Sequence, residues 1–265
     1  MAEEDFARAG QGALHVDTSP QKLRFMQVLK FNSETDWTVA VAALWRDRMR
    51  ANPWLRMCLP AGHTPVPIFA AMAGFVRQGQ ISFRDAEVIV LDEFGGLGPG
   101  DPGRCSCQVR HGLVDHVDLP SAHFHFIQTE APDLAAECRR YDAVIGRGFD
   151  LTLLGVGPNG HLGMNEPGSS PERTTHRTEL HASTIAASRR YLDHERTPTW
   201  GVTVGLKQLL ESREVWLLAR GAAKAEIVRR TMEGDVTTDV PASLLRRHPN
   251  CKLFVDAAAG AALPV

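Results

Sequence analysis

The feature that most constrains this chain is a repeated alternation. Short apolar runs at Leu55–Leu59, Val88–Leu91, His123–Ile127, Leu151–Val156, Val215–Ala219 and Leu253–Val255 are each bounded by Gly, Pro or charged residues. Runs of this kind fit strands buried on both faces, as in parallel sheets. Amphipathic stretches lie between them. From Pro132 to Ile145 the apolar residues Leu134, Cys138, Tyr141 and Ile145 fall on one helical face, with Pro132 suited to the first turn. Ala222 to Glu233 closes on Gly234, and Thr64 to Arg77 stops at Gly79. The alternation predicts one α/β domain over residues 21–265, doubly wound and Rossmann-like, with a mainly parallel sheet flanked by helices. Residues 1–20 read as a flexible N-terminal tail.

Composition narrows the partners. The chain has 265 residues, 29 Lys+Arg against 31 Asp+Glu, and a net charge of −2. No general basic surface follows, which argues against nucleic acid or an anionic membrane as the main partner. Any anion must be held by a local site. The five cysteines form no CxxC pair, so a disulfide framework and a structural zinc site are both unexpected. Reduced thiols suit the cytoplasm. The segment Met1 to Ser19 has no apolar core of a signal peptide, and no stretch approaches ~18 consecutive apolar residues.

In doubly wound sheets ligands bind outside the carboxyl ends of the strands. Four segments there carry chemistry. In Leu59-Pro60-Ala61-Gly62-His63-Thr64-Pro65, Gly62 permits close backbone approach, Thr64 offers a hydroxyl, and the following helix presents free N–H groups. Such a turn can seat a phosphate, or it is an ordinary tight turn with Thr64 as N-cap and Pro65 at N1. Asp92 and Glu93 follow directly on the run Val88–Leu91. One of them is a candidate general base, and one alternatively caps the next turn.

The third segment, Leu154 to Gly168, holds five glycines, with His161 and Glu166 five residues apart. An imidazole both gives and takes protons near neutrality, and a carboxylate can orient it or move a proton itself. The fourth is a basic pair. Lys224 stands in the first turn of a helix, where the N-terminus favours anions, so a bound phosphate would resolve the conflict. Arg190 brings a guanidinium suited to bidentate phosphate contact. Solvated surface charge is the plain alternative for both.

These segments, in this order, resemble the glucosamine-6-phosphate deaminase/isomerase family. The similarity runs from about residue 50 to 256, through LPAGHTP, the Leu-Asp-Glu-Phe rim, DHVDLP, AECRRY, GVGPNGHLGMNEPGSS, TVGLKQLL and DVPASLLRRHP. The Gly-Asn-Gly-His…Asn-Glu-Pro block is the specific one. The resemblance implies an aminosugar-phosphate substrate, converted with water to fructose 6-phosphate and ammonia, and no metal or organic cofactor. It implies that Asp92 shuttles a proton between sugar C1 and C2, that His161 opens the pyranose ring, and that Glu166 is its carboxylate partner. Gly62, Thr64, Arg190 and Lys224 match the phosphate grip. Branches of the family range from monomer to hexamer, so a homo-oligomer stays open.

Three positions depart from the family pattern. Asn159 stands where one branch has Asp; it can hydrogen-bond to His161 but carries no charge. His63 sits in the phosphate loop where small residues are usual, to contact phosphate or to narrow the pocket. The stretch Arg177-Thr178-Glu179 places an acid where the allosteric branch has basic residues, which implies weak or absent activation by an acetylated sugar phosphate.

Three other readings stay open at this point. The galactosamine-6-phosphate branch shares the Asn-Gly-His-Leu-Gly block and often a Pro-Gly-x-Cys like Pro102-Gly103-Arg104-Cys105. A 6-phosphogluconolactonase would lack Asn-Glu-Pro, so Glu166 argues against it. A non-catalytic sugar-phosphate sensor would have shed Asp92, His161 and Glu166.

Overall fold

The computed structural model describes residues 26–189, 192 and 197–264. The expected tail 1–20, residues 21–25 and Arg190 lie outside the described residues.

All six apolar runs form strands. A seven-stranded sheet has the order β1-β10-β9-β6-β2-β3-β5, built from β1 (Met26–Phe31), β2 (Arg56–Leu59), β3 (Glu87–Val90), β5 (Phe124–His125), β6 (Leu151–Gly155), β9 (Val215–Ala219) and β10 (Cys251–Asp256). Every pairing in it is parallel. β1 was not among the apolar runs. It sits at the sheet edge, where only Met26 and Leu29 are buried, so no continuous apolar run is needed.

Helices cover both faces. They are α1 (Glu34–Ala51), α2 (Val66–Arg77), α3 (Cys105–Gly112), α4 (Leu134–Ile145), α5 (Ala182–Ser188), α6 (Leu206–Leu210) and α7 (Ala225–Glu233). Alternate strand residues feed two separate cores, because successive side chains point to opposite faces. Met57, Leu59, Val88, Val90, Leu153, Trp216 and Leu218 join Trp37, Trp45, Phe69 and Met72 from α1 and α2. Cys58, Ile89, Leu91, Leu154, Leu217 and Val255 join Tyr141, Ile145, Leu209, Ile227 and Met232 from α4, α6 and α7.

Two helix starts differ from expectation. α4 begins at Leu134 with Asp133 capping the Ala136 N–H, so Pro132 lies just outside it. α2 begins at Val66 with Pro65 at the N-cap and no side-chain cap. Thr64 is therefore not the N-cap. Pro65 takes helical torsions, and the Thr64 hydroxyl is left for other work.

A second sheet was not expected. β4 (Asp92–Phe94), β8 (Trp200–Thr203) and β7 (His176–Glu179) form an antiparallel sheet in the order β4-β8-β7. It begins one residue after β3, so Asp92 enters it already paired to Thr203.

The order of strands places the site. From β2 the chain steps outward through β3 to β5, then returns to β6 beside β2 and proceeds the other way through β9 to β10. The switch point lies between β2 and β6, and a crevice opens outside their carboxyl ends.

Candidate active site

A cavity of about 170 Å³ occupies that crevice. Its lining comes from the loop after β2 (Gly62, His63, Thr64), from Asp92, from the loop after β6 (Gly157, His161), from α5 (Thr184, Ser188) and from Lys224. Among the described residues, no group of three or more His, Cys, Asp and Glu side chains stands close enough together to hold a metal ion.

The two acidic residues at the rim separate in role. Asp92 is 8% exposed and faces the cavity. Burial pushes its carboxyl up to about 7; a hydrogen bond from Cys105 opposes this, and the neighbouring charge of Glu93 adds to it. Glu93 is fully buried and turns to α3. It accepts the Cys105 N–H at 2.8 Å, the Ser106 N–H at 3.1 Å and the Ser106 hydroxyl at 2.5 Å. Arg104 Nε stands 3.3 Å from it, at the N-cap of α3. Free N–H groups at a helix N-terminus and a neighbouring guanidinium give a buried carboxyl its hydrogen-bond partners. Of the two roles foreseen for this pair, Glu93 is the cap.

His161 is held from one side. Asn159 Oδ1 lies 2.8 Å from His161 Nδ1 and accepts the His161 backbone N–H at 3.2 Å. The other end of that amide, Asn159 Nδ2, donates to Glu166 Oε2 at 2.8 Å. The amide cannot be turned round without setting its oxygen against a carboxylate, so Nδ1 of a neutral His161 carries the proton and Nε2 is the accepting nitrogen. Thr184 Oγ1 sits 3.1 Å from the same Nδ1. Glu166 Oε2 is 3.6 Å from Nδ1, and Oε1 accepts the His181 N–H at 3.1 Å. Burial alone would raise the Glu166 carboxyl, but hydrogen bonds and charge from His161, with further bonds from Thr184 and Asn159, hold it at about 2.

The loop is shaped for this ring. A Cβ on Gly157 would lie 2.1–2.3 Å from imidazole atoms of His161, so only glycine lets the ring lie against that backbone. Asn165, fully buried, donates from Nδ2 to Leu162 O at 2.9 Å and Val204 O at 2.8 Å, tying the loop to the end of β8.

In the loop after β2, Gly62 has φ +90°, which favours glycine. Its N–H donates to Gln108 Oε1 at 3.0 Å. The His63 carbonyl accepts from Arg220 at 2.8 Å, and Arg220 also pairs with Glu34. Lys224 does not lie inside an α-helical turn. It closes a 3-10 turn, Ala222–Lys224, and is the N-cap of α7; its Nζ donates to Val156 O at 2.8 Å, which brings it over the cavity. Arg189, the C-cap of α5, follows directly on the cavity-lining Ser188.

The structure thus brings together Gly62, His63, Thr64, Asp92, His161 and Lys224, with Asn159 and Glu166 behind His161. Asn165 belongs to the Asn-Glu-Pro block but had been given no role of its own. Cys105, Gln108 and Thr184 were not foreseen as site residues, because they reach the site from helices α3 and α5 and no spacing marks them.

A family model described as glucosamine-6-phosphate isomerases/6-phosphogluconolactonase matches residues 34–254. The chain belongs to that family. Within it, a protein called glucosamine-6-phosphate deaminase from Bacillus pumilus (strain SAFR-032) is 32% identical over 89% of this chain and 99% of its own length. One of the same name from Geobacillus sp. (strain WCH70) is 38% identical over 79% of this chain and 84% of its own. The solved structure of a monomeric glucosamine-6-phosphate deaminase superposes with a TM-score of 0.86 at 30% identity, covering 89% of this chain and all of that one. A 6-phosphogluconolactonase from Thermotoga maritima, at 19% identity and a TM-score of 0.70, shares the fold.

Proposed function

We propose that this chain is an enzyme of aminosugar metabolism that converts glucosamine 6-phosphate and water to fructose 6-phosphate and ammonia, and that it works in the cytoplasm. No helix among the described residues is long and apolar enough to cross a membrane. The observation that carries the reading is the facing of Asp92, His161 and Lys224 into one cavity at the switch point of the sheet.

In this reading the sugar phosphate lies with its phosphate against the loop Gly62–Pro65 and Lys224, with Arg190 a further phosphate ligand on the strength of the family resemblance. The phosphate supplies binding energy remote from the reacting carbons. His161 Nε2 takes the proton of the C1 hydroxyl and delivers it to the ring oxygen as the C1–O5 bond breaks, and the pyranose opens to an aldehyde. Nδ1 stays bonded to Asn159, so the ring keeps its orientation while Glu166 offsets the charge of the imidazolium. The C2 hydrogen, now next to a carbonyl, passes as a proton to the Asp92 carboxylate while the carbonyl oxygen takes a proton from the C2 ammonium, leaving an enolamine. Return of that proton to C1 gives a ketimine, which water hydrolyses to the ketose and ammonia. A carboxyl near 7 fits a base that must both take and return a proton near neutrality.

Ammonia release from glucosamine 6-phosphate and from galactosamine 6-phosphate, assayed side by side, tests the reaction. Turnover with a higher kcat/KM for the glucosamine compound is expected. A preference for the galactosamine compound reassigns the substrate, and binding without ammonia from either points to a sensor.

A further inference from the structure

One wall of the cavity has no part in the chemistry above. Cys105 and Gln108 lie three residues apart on α3, on one helical face, and both line the cavity. The first turn of α3 is fixed by its bonds to Glu93, the residue next to Asp92. Gln108 Oε1 accepts the Gly62 N–H at 3.0 Å while Nε2 donates to Gly103 O at 2.9 Å, so both ends of its amide are used. Cys105 is buried and lines the cavity together with Asp92, and its backbone N–H is held at 2.8 Å by Glu93, the neighbour of Asp92, which sets the thiol at the base's end of the cavity. Besides Glu93, the titratable groups around Asp92 are Cys58 on β2 and Tyr141 on α4, with His63, His161 and Lys224 lining the same cavity. Burial keeps Cys58 and Tyr141 neutral, and the Tyr141 hydroxyl is spent on Val90 O at 2.6 Å.

We propose that α3 is a gauge between the two ends of the site, in which Cys105 orients the carboxylate of the base and Gln108 fixes the Gly62 amide of the phosphate loop. Both are positioning residues, and the assignment rests on reading Asp92 as the base and Gly62–Pro65 as the phosphate seat. Without the thiol, burial acts on Asp92 with less opposition, so ionisation of the base needs a higher pH. Without the Gln108 amide, the Gly62 turn loses its tie to α3, and the phosphate seat loosens while the reacting end is untouched.

The test compares kcat/KM against pH for the wild-type enzyme, C105A and C105S, and KM, kcat and calorimetric affinity for fructose 6-phosphate in Q108M. C105A should move the acid limb to higher pH, so that activity at pH 6 relative to pH 8.5 falls about tenfold below the wild-type ratio. C105S, which keeps a donor, should restore it. Q108M, close to Gln in size, should weaken KM and product affinity about tenfold with kcat changed less than about threefold; Q108L serves if Q108M does not fold. A wild-type limb unmoved in C105A, or an unmoved KM in Q108M, overturns the gauge alone. A D92N enzyme that keeps the wild-type activity and limb rejects the assignment of Asp92, and the role of Cys105 with it.

Discussion

Asp92 and Glu166 are two carboxylates of one site, each 8% exposed, yet they titrate on opposite sides of the ordinary range. Burial pushes both upward. For Asp92 one thiol opposes it and a like charge adds to it, and the result is about 7. For Glu166 an imidazole, a hydroxyl and an amide overcome it, and the result is about 2. Asp92 is wholly enclosed, whereas Glu166 lies less deep and is better partnered, so depth and partners act together. One carboxyl is poised to exchange protons near neutrality and the other is fixed as a charge, a division of labour that environment alone can impose.

Replacing each residue by its amide should separate the two. D92N is expected to lose about 10²–10⁴ in kcat, the range for one positioned acid–base group, with binding of fructose 6-phosphate retained by calorimetry. E166Q should lose only about ten- to a hundredfold, because Asn159 and Thr184 still hold His161. A substrate presented in open-chain form should recover part of that loss in E166Q and none in D92N. Neither carboxylate is asked to hold the phosphate, so K224A marks a third behaviour. Its KM should rise about tenfold or more with kcat little changed, read from steady-state kinetics.

The same contrast appears in stability. The Glu166 carboxyl is lowered on folding, so its contribution is present above about 4.5 and is lost as pH falls toward about 2. Asp92 is raised on folding, so its ionisation opposes folding increasingly as pH rises from 3.8 to about 7. D92N should therefore raise Tm by roughly 2–4 °C or more at pH 8 and by less at pH 4, measured by calorimetry. The smallest effect concerns activation. Arg177 is paired with Glu179 at 2.6 Å and stacked over Trp200, so N-acetylglucosamine 6-phosphate should change kcat/KM less than about twofold. Steep, saturable activation would contradict this.

The parallel sheet was legible because its strands are buried on both faces and write themselves as apolar runs. The antiparallel sheet was not. His176–Glu179 is largely polar and Asp92–Phe94 is only three residues long; both exist through pairing with Trp200–Thr203 far along the chain. That sheet nevertheless positions Asp92, so the residue type was readable while its support was hidden. At the site, His161, Glu166 and Asp92 announced themselves by chemistry beside glycines at strand ends. Cys105, Gln108 and Thr184 did not, since a thiol, an amide and a hydroxyl on helices have no meaning until folding sets them against Asp92, Gly62 and His161. Lys224 differs in detail from its expected place: it precedes α7 rather than lying within it, and its Nζ reaches Val156 O at the cavity.

The most direct test of the account follows the C2 hydrogen itself. Glucosamine 6-phosphate carrying deuterium at C2 is incubated with the wild-type enzyme, E166Q and D92N, and the label is followed by NMR. The account predicts that the wild-type enzyme and, more slowly, E166Q move deuterium from C2 to C1 or to water, while D92N leaves it in place. Removal of the label by D92N at more than about a tenth of the wild-type rate would mean that another group is the base.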